Sequence, residues 1–188
     1  MSMTRPLTLR VMLMNGGSGV PGVTVSIDTT PGPTTAITDG FGNFVLSNIP
    51  NGTYTLTPSV TGASSLFFPG TQSVTVSGAS VFNVNFQALV TYTVSGTVSY
   101  AGAEPGRVYL SLNGGNMGQG PGVSLAGPGA FTIRGVSPGT YVLNAWKDSL
   151  GQGMPNAANP AGTNASVVVG FANATGANVT LADPSPRR

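Results

Sequence analysis

Few side chains in this sequence are capable of chemistry on a substrate. The carboxylates are Asp28, Asp39, Glu104, Asp148 and Asp183, the single lysine is Lys147, and there is neither a cysteine nor a histidine. Their absence removes thiol nucleophiles, disulfides, imidazole bases and the commonest zinc ligand, and with them Ser-His-Asp, Cys-His and zinc-hydrolase mechanisms. Glycoside hydrolysis needs only two carboxylates, but they must flank a cleft. Asp39 stands in a turn sequence, and Glu104 and Asp183 lie beside prolines in loops. No catalytic residue, metal ligand or cofactor is therefore assigned, and the chain is not read as an enzyme.

Contact chemistry is better represented. From Tyr141 onward, Tyr141, Leu143 and Ala145 alternate toward a core, which sends Val142, Asn144 and Trp146 to the opposite face, where the first half of the chain carries Thr53, Thr55 and Thr57. An exposed Trp146 beside Asn144 could stack on a sugar ring or anchor a protein interface; the alternative is that residues 147–165 fold over it. Phe67 and Phe68 are the corresponding aromatic feature of the first half, one ring plugging a sandwich end and the other offered to a neighbour. Leu7, Leu9, Val11 and Leu13 alternate as a strand that is a candidate for addition to the sheet edge of another subunit.

These residues must be held by strands. The chain contains 22 Thr and 21 Val, and no window has the helical spacing of apolar residues. Short alternating runs recur instead: Val23 to Ile27, Phe44 to Leu46, Tyr54 to Leu56, Ser73 to Val76 and Val81 to Phe86. Turn chemistry separates them, as at Asn15-Gly16-Gly17, Asp39-Gly40 and Pro50-Asn51-Gly52. This is the spacing of an all-β sandwich.

The pattern then repeats. The segment from Gly42 through Phe44, Gly52 and Tyr54 to Leu56 returns as Gly129, Phe131, Gly139, Tyr141 and Leu143 at a constant offset of 87 residues. Val23, Val25 and Ile27 correspond to Val108, Leu110 and Leu112, and Ser73–Val76 to Ser166–Val169. The expectation is two tandem seven-stranded sandwiches over 5–89 and 91–183, joined by a few residues between Gln87 and Thr91, with a polar tail at 184–188.

The charge balance is 7 Lys and Arg against 5 Asp and Glu, and only 6% of residues are charged, where about 25% is usual. The cations are scattered, with no stripe to follow a phosphate backbone, so no nucleic-acid partner is expected. Every apolar run is interrupted well short of the roughly 18 residues of a membrane helix. Arg10 splits the first apolar run and no small-residue cleavage site follows, so this segment reads as a strand rather than a signal peptide; either a leader has been removed or the secretory route is not used. Asn-X-Ser/Thr sequons at Asn51, Asn164, Asn173 and Asn178 are expected by chance in so Asn- and Thr-rich a chain.

The segments Val94-Ser-Gly-Thr-Val98, Pro21-Gly22-Val-Thr-Val25, Thr38-Asp39-Gly-Phe-Gly42-Asn-Phe44 and Ile49-Pro-Asn-Gly52-Thr-Tyr54 resemble the carboxypeptidase-regulatory-like domains, a prealbumin-like branch of the Ig-like sandwiches. The resemblance extends over both halves and implies folding roles for the motif: Asp39 bonds its own turn, Gly42 takes a positive φ, and Gly52 permits the corner before Tyr54. In the second half Ala126 replaces Asp39, so Gly127-Pro-Gly129 must close that turn. Some related domains carry a Lys–Asn isopeptide staple, but the first half has no lysine and Lys147 lies after the Tyr141 strand. Others hold calcium in the loop corresponding to Trp146–Gly162, where here Asp148 is the only carboxylate; six to eight oxygens are needed, so a metal-free loop is expected.

The resemblance implies spacers, stalks and adhesive units. The expected function is a non-enzymatic structural module of an extracellular or cell-surface assembly, acting by self-association or with other surface proteins. A carbohydrate-binding accessory module, with a polysaccharide on Trp146, and a virion surface protein are the alternatives.

Overall fold

The computed structural model describes residues 5–13, 17–29, 32–114 and 119–184; Arg187 and Arg188 lie outside them. Among the described residues there are fourteen strands and no helix. The chain divides into two compact units, 1–90 and 91–188.

In the first unit, β1 (Arg5–Leu13) lies between β4 (Asn43–Ile49) and the beginning of β8 (Val84–Tyr100), with β6 (Ser64–Phe68) also paired to β8. The second sheet runs β3 (Thr34–Ile37), β2 (Thr24–Ile27), β5 (Gly52–Ser59), β7 (Gln72–Val76). Period-2 alternation fixes which residues face inward: Val25, Ile27, Phe44, Leu46, Leu56, Val74, Val76 and Phe86 are buried.

In the second unit, the rest of β8 lies between β11 (Gly129–Val136) and β14 (Val179–Leu181). The other sheet runs β10 (Gln119–Leu125), β9 (Val108–Gly114), β12 (Gly139–Lys147), β13 (Ala161–Val169). The order of each sheet matches its counterpart in the first unit except for β6, which has no equivalent among the described residues of the second, so the first unit counts eight strands with its share of β8 where seven were expected. In both units the first strand pairs in parallel with the last, and the core is again the inward half of each strand, including Leu110, Leu112, Phe131, Ile133, Tyr141, Leu143, Val167 and Val169.

Two expectations are corrected. β1 is no edge: Leu7 and Leu9 are in register with Leu46 and Phe44 of β4, and Leu9, Val11 and Leu13 with Val84, Phe86 and Ala88 of β8. Its backbone groups are engaged on both sides within this chain; the side chains of Leu7, Leu9, Val11 and Leu13 lie outside what is described. The junction at 87–91 is not a break between strands either. Val84, Phe86, Ala88, Val90, Tyr92 and Val94 alternate without interruption as buried residues, and with no Gly or Pro among 84–95 nothing ends the strand.

Candidate functional site

Trp146 is half-buried on the outer face of the β10–β9–β12–β13 sheet, as alternation from Tyr141 dictates. Its partner is Tyr109, which faces it directly across the β9–β12 pair; the rings stack with centroids 4.6 Å apart and planes 14° from parallel. Tyr109 was not singled out in the sequence. Its position between the inward-facing Val108 and Leu110 placed it on the outer face, but only the strand register brings it to Trp146. Both rings line an open groove of about 400 Å³ with Leu110, Ser111, Gly122, Val123 and Ser124. Gly122 is required there, because a Cβ at this position would stand 2.5 Å from the carbonyl oxygen of Leu110. Asn144 lies one row along the same face, opposite Ser111 and Thr163.

The inward alternation continues from Ala145 to Lys147, which is only 4% exposed. Its Nζ donates to the Gly106 carbonyl at 3.0 Å and lies 5.5 Å from the centroid of the Tyr100 ring. Lys147 is therefore a packed residue of the sandwich end. The loop that follows is closed by its own polar groups: Gln152 N–H donates to Asp148 Oδ1 (2.9 Å) and Gly153 N–H to Asp148 Oδ2 (2.8 Å). Asn159, also buried, donates from Nδ2 to the Met154 carbonyl and accepts from Ser149 Oγ. Both oxygens of the one carboxylate in this loop thus serve as backbone acceptors.

Glu104 and Asp183, distant in sequence, line one cleft of about 300 Å³ with Ser149, Leu150, Ala158, Pro160 and Pro184. Asp183 accepts the hydroxyl proton of Tyr100 in a hydrogen bond. That bond, reinforced by lost hydration and the nearby negative charges, pushes the Tyr100 pKa up from 10.0 to about 12. Since the folded value is the higher one, the interaction is fully present below pH 10.0 and is lost as the pH rises through about 12. Tyr92 and Tyr141 are also raised, by burial alone. In a spectrophotometric tyrosinate titration, Asp183→Asn is expected to return one tyrosine toward its ordinary range and leave these two in place. Superimposable curves for the two proteins would refute this assignment.

Residues 7–89 match the family model of the carboxypeptidase regulatory-like domain. The first unit is a carboxypeptidase regulatory-like domain. Among curated proteins no sequence matches the chain. Among solved structures it is similar to the shaft pilin SpaA of Lactobacillus rhamnosus GG, at 12% identity and a TM-score of 0.43 over 99% of this chain and 100% of that one. It is also similar to a streptococcal ancillary pilin, at 16% identity and a TM-score of 0.39 over 98% of this chain and 63% of that one. The Bacillus anthracis TIE protein shows 11% identity and a TM-score of 0.42 over 95% of this chain; the chain spans 34% of its length.

The motif residues of the carboxypeptidase regulatory-like domain hold its corners. Asp39 Oδ1 accepts the N–H groups of Phe41 and Asn43, both at 2.9 Å, and Gly42 has φ +75°. Tyr54 donates its hydroxyl to the Pro50 carbonyl (2.9 Å), and Gly52 makes room for that side chain, since a Cβ would stand 3.0 Å from the hydroxyl oxygen. In the second unit Tyr141 repeats the bond to the Ser137 carbonyl at 2.8 Å, a tyrosine corner in both units. Of the aromatic pair in β6 of the domain, Phe67 is half-buried and Phe68 is 47% exposed. The sequon asparagines have structural work too. Asn51, Asn173 and Asn178 accept backbone N–H groups of Gly78, Thr93 and Thr97, and Asn164 Nδ2 donates to the Asn178 carbonyl.

Proposed function

We propose that this chain is a non-enzymatic structural and interaction module of an extracellular or surface assembly, a stalk, adhesin segment or filament subunit, and that residues 91–183 are a second domain of the same family. The observation that carries the reading is how the charged groups are used. Asp28 accepts the Thr55 N–H, Asp39 closes a turn, Asp148 closes a loop, Asp183 takes the Tyr100 hydroxyl, and Lys147 is packed against a carbonyl and a ring. Each holds a turn, a loop or a strand in place, and the four-stranded sheets of the two units have the same strand order. A surface with so little charge also has little like-charge repulsion to keep copies apart.

The test is light-scattering mass over a concentration series, with the same samples viewed by negative-stain electron microscopy. Filaments or regular particles are the expected result. A mass of 18.8 kDa at every concentration would remove self-assembly and leave a spacer between other components.

A further inference from the structure

The two units provide an internal control for the Tyr109–Trp146 pair. Aligning β2 with β9 and β5 with β12 by their buried residues places Thr24 where Tyr109 stands and Ser59 where Trp146 stands; Thr24 and Ser59 are likewise direct partners across their strands. The same sheet position is thus filled by two hydroxyl residues in one unit and two aromatic rings in the other. The sandwich does not require the rings, because the outer face contributes nothing to the core.

What surrounds the rings defines a chemistry. Across the sheet the row reads Ser124, Tyr109, Trp146, Ala161, so small residues flank the stacked pair on both sides. The next row reads Gly122, Ser111, Asn144, Thr163, uncharged hydroxyl and amide groups beside a bare backbone. At the margin, Arg107 Nη2 donates to Ser124 Oγ at 2.8 Å. The groove has the size of a small-ligand site, with aromatic surface on one side and neutral donors and acceptors around it. A pyranose in the gluco configuration is the complementary ligand: its axial C–H groups form an apolar face for an aromatic ring, and its equatorial hydroxyls reach outward to hydrogen-bond partners. The neutral lining matches an uncharged glycan, since a polyanion would find only Arg107 here.

We infer that the groove beside Tyr109 and Trp146 is a binding site for neutral, gluco-configured oligosaccharides. Trp146 is the only tryptophan of the chain, so its emission reports directly on the site. The experiment titrates the full chain with cellohexaose, chitohexaose and maltohexaose, using polygalacturonate as the anionic comparison, and repeats each titration on Tyr109→Thr. That substitution copies the residue the first unit carries at this position and preserves the Trp146 reporter. A saturable emission change with at least one neutral hexasaccharide, weakened about tenfold in Tyr109→Thr, is the expected result. Trp146→Ser, copying Ser59, is expected to abolish retardation in affinity electrophoresis through the same glycan, with its melting curve as the folding control. No response to any of the three sugars overturns the site, as does retardation unchanged in folded Trp146→Ser or binding of polygalacturonate alone. An emission change that depends only on protein concentration also overturns it, and marks the face as a contact between copies.

Discussion

Gly106→Ala is expected to destabilise the second unit more than any other single-methyl change described here. Gly106 has φ +120°, outside the range L-residues adopt comfortably, and a Cβ would stand 2.0 Å from the carbonyl oxygen of Asp148. The obstacle is backbone, so no rotamer change relieves it. The segment would have to move away from residues 147–148, stretching the Asp148 N–H bond to the Arg107 carbonyl (2.8 Å) and the Lys147 Nζ bond to the Gly106 carbonyl (3.0 Å). Lys147 would then be a buried cation losing an acceptor. Backbone strain contributes about 1–3 kcal/mol and the lost hydrogen bonds a similar amount, about 4 kcal/mol together. On a unit of this size that lowers the melting temperature followed by Trp146 emission by more than about 15 °C. Gly127→Ala is the control, having open space around its Cβ. A Gly106→Ala melt within about 2 °C of the parent would refute the argument.

The second large effect belongs to the first unit. Phe86 is fully buried in β8, in register with Val11 of β1. Phe86→Ala removes most of an aromatic side chain and leaves a cavity, at a cost of about 3–5 kcal/mol, a large share of the roughly 5–15 kcal/mol that holds a domain folded. Because Trp146 belongs to the second unit, the loss is expected in the far-ultraviolet circular dichroism melt and not in the tryptophan emission melt. Equal displacement of both melts would show that the damage is not confined to the first unit.

The buried half of the fold was legible because its signal is local. Alternation at Val23, Val25 and Ile27, or at Tyr141, Leu143 and Ala145, reads directly as inward faces, and Asp39 with Gly42 announces its turn through chemistry within four residues. The same alternation runs one step beyond Ala145 to the buried Lys147, which was expected only to lie after the Tyr141 strand. What could not be read depends on pairing between distant strands. Tyr109 meets Trp146 only in one register of β9 on β12, and Glu104 meets Asp183 only when the end of the chain returns beside β8. The candidate site was therefore half legible: Trp146 and Asn144 were on the outer face as expected, but their aromatic partner was hidden. The place of β1 between two partners was hidden for a related reason, since an alternating run looks alike at the edge and in the middle of a sheet.

The parallel pairing of first with last strand in each unit has a kinetic meaning. Leu9 waits for Val84, 75 residues later, and Val98 for Val179, 81 residues later, so each sandwich closes through contacts of high sequence separation and should fold slowly for its size. During synthesis the first unit cannot complete its sheet until β8 has emerged, and the uninterrupted continuation of β8 is the opening strand of the second unit. The two cores are thus laid down in strict succession, with the closing piece of one already the template for the next.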